Sequence, residues 1–168
     1  MGKENPQASV ASDDNTTLVF VPTVASPTGI PSVSELNAGT KFTYSLTPDG
    51  WSPTQSQATI ADGRYTLGQA LERPGKKTKS LTVKYVAAGD ESDVAAELFV
   101  EGTPGVVAIR RGVPNLEAFT ADHKITPWPI LCGEQIEDPA VENGVDTISQ
   151  TLFVTGVVQT RVLPSSGA

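Results

Sequence analysis

Along most of its apolar stretches this chain alternates apolar and polar residues. A period of two marks a half-buried β-strand, because successive side chains leave a strand on opposite faces. In KFTYSLT (41–47), Phe42, Tyr44 and Leu46 fall on one face and Lys41, Thr43, Ser45 and Thr47 on the other. KKTKSLTVKYV (76–86) alternates through Leu81, Val83 and Tyr85. LVFVP (18–22), ended by Pro22, and GVVAIRRG (105–112) read as short apolar strands, and Tyr65–Leu71 as another. HKITPWPILCG (123–133) is a strand interrupted by Pro127 and Pro129, which places it at an edge or on a bulge. The one good helix pattern is DESDVAAELFVEG (90–102). Val94, Leu98 and Glu101 share a face there, acids crowd the first turn and cap it, and Gly102 can end it.

The stretch DTISQTLFVTGVVQTRVL (146–163) reads as one strand of unusual length. Ordinary strands run about 3–10 residues, and one this long would span about 60 Å. Its even positions carry Ile148, Leu152, Val154, Val158 and Val162, with Gly156 as a possible bulge, and fit a core. Its odd positions carry Thr147, Ser149, Thr151, Thr155, Gln159 and Arg161, interrupted by Phe153 and Val157. That face is polar at its ends and apolar in the middle, suited to pairing or packing beyond the domain.

Around these elements the chain reads as a flexible arm (1–17), a single domain (18–163) and a flexible tail (164–168). Residues 23–40 are rich in turn chemistry. Residues 48–64 form a long polar connection with an exposed Trp51, the natural anchor for an interface. Abundant Gly (15) and Pro (13) beside Thr, Val and Ser fit an all-β domain with one short flanking helix. The net charge of −7 makes a poor static ligand for nucleic acid or an anionic membrane. One cysteine allows no internal disulfide, and the first residues contain no apolar signal-peptide core.

Catalytic chemistry is thin. His123, the single histidine, sits between Asp122 and Lys124 and reads as a solvated surface residue. Cys132 reads as a small buried apolar residue, and one His with one Cys makes no tetrahedral zinc site without carboxylates. GQALERPGKKTKS fails the phosphate-loop pattern, and Lys76, Lys77 and Lys79 read as a solvated turn. Arg110 and Arg111 put one guanidinium on each face of their strand, where the many acids can pair with them. No catalytic, cofactor or metal site is expected. An acidic all-β domain without an active site is what a structural or interaction protein looks like.

The order of elements carries a further signal. PSVSELNAGTKFTYSLTPDGW, GRYTLGQALERPGKKTKSLTVKYV, LFVEGTPGVVAIRRG and ILCGEQIEDPAVENGVDTISQTLFVTGVV together resemble the major tail (tail tube) proteins of long-tailed siphophages, especially those infecting actinobacteria. The resemblance runs from Pro31 to Val162 and is carried most by GTPGVVAIRRG and by the CGEQ…ISQTLFVTG ending. It implies a tail-tube β-sandwich or barrel of two packed antiparallel sheets. It also implies homo-hexameric rings stacked around a tape-measure protein, with tail terminator and baseplate proteins at the ends. The implied place is a virion tail assembled in the host cytoplasm, with DNA in contact only during its passage. On that reading Trp51, Phe153 and Val157 meet neighbouring subunits or rings, and Thr147, Ser149, Thr151, Thr155 and Gln159 line the lumen or a subunit seam. The alternatives are an immunoglobulin-like or jelly-roll binding or decoration module, and a type VI secretion-like tube protein.

Overall fold

The computed structural model describes residues 2–166. In chain order the elements are β1 (Thr16–Val21), α1 (Val33–Ala38), β2 (Thr40–Lys41), a 3-10 turn (Thr43–Ser45), β3 (Leu46–Asp62) and β4 (Leu71–Val86). They continue with α2 (Val94–Leu98), β5 (Pro104–Arg111), β6 (Ile125–Glu137) and β7 (Thr147–Val154). The seven strands make one antiparallel sheet in the order β2-β1-β5-β6-β7-β4-β3. The fold is therefore all-β with two short helices.

Trp51 on edge strand β3 meets Trp128 on β6 edge-on, with ring centroids 6.1 Å apart, although β4 and β7 lie between them. The sheet curls to allow this, and its two halves supply the two packed layers. The concave face encloses Leu18, Phe20, Val107, Trp128, Leu152, Leu81, Val83 and Tyr85. Phe99 closes one end, edge-on to Phe42 and Phe20 at 4.9 and 5.8 Å. Burying a ring of this kind is worth about 1.5–3 kcal/mol. A second apolar cluster lies behind β1 and β5, where Val19, Val21 and Ala108 meet Leu36 of α1, Phe119 and Ile125. The outer face of β6, β7, β4 and β3 has no such cover.

Two hydrophobic patterns were misleading. In 41–47 only Phe42 is deeply buried; residues 43–45 form the 3-10 turn and Tyr44 points outward. Tyr65–Leu71 is largely the connection between β3 and β4, not a strand. The polar stretch 48–64 is most of β3 and not a loop. The helix expected over 90–102 is only the five residues of α2. Asp93 does not cap that helix: its carboxylate takes the Ala88 and Gly89 amides, while Asp90 takes Ser92. The next turn gives way because Phe99 is drawn into the core.

β6 holds its prolines because its second side is open there. Ile125 and Pro129 bond across that side to Val162 and Thr155, outside the β7 ladder, so Pro127 and Pro129 interrupt no strand pair. The strand is also bulged between Cys132 and Gln135. The bulge lets Gln150 donate to Phe99 and Gly133 carbonyls at 2.7 Å each, while Tyr85 Oη donates to Gln150 Oε1 at 3.0 Å. A buried amide on the core side of β7 is thus satisfied.

The turn-rich segment hides α1. Ser32 and Glu35 form a capping box: the Ser32 amide donates to Glu35 Oε2 at 2.7 Å, and the Glu35 amide donates to Ser32 Oγ at 3.3 Å. The Ser32 amide, together with the Ala25 amide on Glu35 Oε1 at 2.7 Å, holds the Glu35 carboxyl below its ordinary value. Residues 2–15 carry no regular element. Of the tail at 164–168, Ser165 bridges to Ser32, and residues 167 and 168 lie outside the described residues.

Candidate functional site

The longest strands are β3 and β4, not the C-terminal one. They pair from Leu46↔Tyr85 to Asp62↔Leu71, but β7 covers β4 only over residues 81–86. Beyond that cover, residues 53–62 and 71–80 stand out as a two-stranded ribbon with a reach of about 33 Å. Nearly all its side chains are exposed on both faces, and Tyr65 at its turn is 98% exposed. Ile60, Leu67 and Leu71 are open beside it. Arg64 forks onto Asp62 at 3.0 Å and Arg73 reaches it at 3.6 Å, pairs worth little in water. A lone hairpin is marginally stable. Pro53 and Pro74 sit where the ribbon has an open side. Gly50 lies in the bulge at the ribbon's root, where a Cβ would collide with the Lys84 carbonyl oxygen.

The single strand expected over 146–163 ends at Val154. The chain then bends at Gly156, where a Cβ would press on Pro129 at 3.2 Å. It continues along β6 in the same antiparallel sense, from the Thr155–Pro129 bond to the Val162–Ile125 bridge, so Val158 is buried in this irregular stretch and not by regular strand alternation. Within β7, Ile148, Gln150 and Leu152 face the core. Thr147, Ser149, Thr151 and Phe153 lie on the opposite, outer face. Thr155, Val157 and Gln159 lie beyond the strand; Val157 is 81% exposed, and the Gln159 amide reaches Thr28 O at 3.5 Å. Trp51 is half-buried, spending one edge on Trp128.

The outer face has a chemical pattern. Register aligns Thr151, Thr82 and Ser52 in one row, Ser80 with Thr54 in the next, and Thr78 with Ser56 beyond. The result is a continuous strip of short, neutral hydroxyls. Beside it on β6, Leu131 pairs with Phe153, 56% exposed, in an open apolar patch. The β3 and β4 hydroxyls were missed in the sequence, yet Ser52-x-Thr54-x-Ser56 and Thr78-x-Ser80-x-Thr82 carry a strict period of two.

Thr147 and Ser149 have a local task as well. Both hydroxyls donate to Asp138, at 2.8 Å from Thr147 and 2.8–2.9 Å from Ser149, and Lys84 Nζ lies 3.6 Å away. These hydroxyls, with Lys84, hold the Asp138 carboxyl below its ordinary 3.8. A carboxylate with a depressed folded-state value stabilises the fold above its unfolded value, and the contribution fades as pH falls through the folded one. Acid unfolding below about pH 4 should therefore be shallower in Asp138→Asn than in the native chain, with a lower thermal midpoint at neutral pH. Circular dichroism melts across that range check both signs.

Arg110 and His123 depart from the surface readings. Arg110 is fully buried and pairs with no acid; its guanidinium stacks 4.3 Å over Phe119 and donates to three carbonyls of the β5–β6 connection. His123 Nδ1 is half-buried against Arg110 Nη1 at 3.2 Å. Arg111 on the other face has no carboxylate within ion-pair distance among the described residues. Cys132 is buried, and burial pushes its thiol up to about 11. Among the described residues no group of three or more His, Cys, Asp or Glu could hold a metal. No helix among them is long and apolar enough to cross a membrane.

Comparison with known proteins places this geometry. The family model described as phage tail tube protein matches residues 4–165. No curated protein matches the chain. Among solved structures, a chain of the anti-feeding prophage baseplate, determined by cryo-electron microscopy with 6-fold symmetrisation, aligns over 92% of this chain and 95% of its own. The TM-score is 0.53 at 10% sequence identity, a likeness of fold alone.

Proposed function

The chain belongs to the phage tail tube protein family, and from that premise we propose that six copies close into a ring and that the rings stack into the tail tube of a siphophage of the actinobacteriophage type. The observation that carries this reading is the β3–β4 ribbon. Its outer edge is an unpaired strand of 17 residues, and it reaches past the core that its own chain supplies. An unpaired edge of this length invites another chain, and closure into a barrel removes every edge at once. The six-fold symmetry of the anti-feeding prophage baseplate, which contains a chain of like fold, supports the number six.

In this arrangement the hydroxyl strip on β7, β4 and β3 faces the lumen, with Thr147 and Ser149 at one end. Short neutral hydroxyls offer DNA no fixed cations to grip, and the acidic chain adds weak repulsion. The lumen holds a tape-measure protein during assembly and conducts DNA on ejection, and terminator and baseplate proteins close its ends. Phe153 with Leu131 and Val157 packs on the neighbouring subunit, and the exposed edge of Trp51 faces the next ring.

Two adjacent substitutions test the assignment of faces. Leu152 has no exposed surface. Leu152→Asp should bury an unpaired charge, cost several kcal/mol (about 3–5) and unfold the chain. Phe153→Ser should leave a folded monomer by circular dichroism and abolish sedimenting polymer. If Phe153→Ser polymerises like the native chain, the apolar patch is not a subunit contact.

A further inference from the structure

The two ends of the curled sheet carry opposite charge. Residues 88–102 and 134–146 hold five acids each, ten of the chain's nineteen, and no Lys or Arg. Both segments lie at the end where β4 and β6 finish and β5 and β7 begin. Within the second, residues 138–146 form a built protrusion. Its base is closed by the Asp138 amide on Thr147 O at 3.0 Å, and its tip by the Gly144 amide on Val141 O at 3.0 Å, with Asn143 in the left-handed region (φ 59°). Glu142 and Asp146 flank Val141 and Val145, which are 71% and 64% exposed.

At the opposite end, where β5 finishes and β6 begins, the sheet opens in a mouth of about 560 Å³. Half-buried Trp51 and exposed Val10 give it apolar surface, with Trp128 buried beneath, and Arg111, Lys124 and Arg161 stand around it. Lys79 lies 5.8 Å over the Trp128 ring, and Lys76 and Lys77 continue the positive charge on the adjoining surface. The ion pairs among the described residues are Arg64–Asp62, Arg73–Asp62 and Lys84–Asp138, so these six cations have no carboxylate partner. Asp13, Asp14, Glu117 and Asp122 are at this end in sequence and pair with none of them.

We propose that the 138–146 protrusion of one copy docks in the mouth of a second copy, so that rings stack head to tail. The inference rests on the tube reading above. Acid meets base, and Val141 and Val145 meet Trp51 and Val10, in the same contact, and the two surfaces lie at opposite ends of the same strands. Barrel strands tilt about 35–45° from the axis, so their two ends face the rings above and below. Such a contact is heterologous: each copy offers one surface of each kind, and the assembly grows as an open filament.

The test is charge reversal with mixing. Lys124→Glu/Arg161→Glu reverses the mouth, and Glu142→Lys/Asp146→Lys reverses the protrusion. Each variant alone should keep its circular dichroism spectrum, still form single rings by electron microscopy, and lose about tenfold or more of its sedimentable polymer. An equal mixture of the two should recover tubes, because each variant then presents what the other needs. Native polymer should also shorten between 0.1 M and 1 M salt, where the screening length falls from about 10 to about 3 Å. Native-like tubes from either variant alone, or no recovery in the mixture of two folded variants, would overturn the proposal. So would salt-sensitive binding of duplex DNA at the mouth with stacking unchanged. If a reversed variant unfolds, the milder Glu142→Gln/Asp146→Asn pair and the salt series decide in its place. If the native chain forms no rings at all, the tube reading fails first, and the two failures are thereby distinguished.

Discussion

Arg110→Met should unfold this chain or come close to it, although Arg110 touches neither the hydroxyl strip nor the ribbon. The guanidinium has no exposed surface. It donates to Pro114 O at 3.0 Å, Glu117 O at 2.9 Å and Ala118 O at 3.1 Å, and also to Thr17 Oγ1 and His123 Nδ1 at 3.2 Å each. Nδ1 accepts here, since the Thr120 amide donates to it as well. These bonds tie the connection between β5 and β6 onto the back of the sheet, where Phe119 enters the second apolar cluster. Methionine fills much of the volume and supplies no donor, so three carbonyls lose charge-assisted partners in a half-dry site. The loss should be on the order of 3–5 kcal/mol, against the 5–15 kcal/mol or so that holds a domain together. Arg110→Lys keeps a charge but only one point of it, and should fall between the two. Urea midpoints order the three chains. Unfolding free energies for both variants within about 1 kcal/mol of the native chain would mean that the connection is held by its apolar contacts.

The opposite outcome is expected from shortening the ribbon. Replacing Thr59–Pro74 with Asn-Gly, a pair suited to a tight hairpin turn, removes the exposed end and keeps Lys76, Lys77 and Lys79. No core side chain lies in the deleted stretch, so stability should change by no more than about 0.5–1 kcal/mol. Assembly should be lost entirely, because the far end of the unpaired edge, the part that reaches furthest towards a neighbour, is gone, although residues 46–58 keep an open side. Sedimentation velocity at high protein concentration should show monomer alone. Tubes from the shortened chain would remove the ribbon from the assembly account.

The strands around 18–22, 76–86 and 105–112 were legible because the chain's own core reads them: one face or both are covered, so apolar residues recur at strand spacing. β3 was not, because much of it is uncovered on both faces and has no reason to be apolar. Its hydroxyl period survived in Ser52, Thr54 and Ser56, a polar alternation that hydrophobic patterning ignores. The overlong C-terminal strand came from Val158, which keeps the even spacing although a bend at Gly156 and an irregular stretch separate it from β7. The short helix α1 was missed, although Ser32 and Glu35, three residues apart, carried a capping-box signal beneath a surplus of Gly and Pro. Arg110 was misread because its partners are main-chain carbonyls, which leave no trace in composition. The hydroxyl strip and the charged ends arise only when register and connectivity bring distant segments side by side.

The central claim is that this chain builds a hollow tube from closed rings, and electron microscopy of the concentrated native protein tests it most directly. The account predicts stacked rings with six-fold end views and an open centre. A monomer at every concentration, or a filament with no lumen, would contradict it.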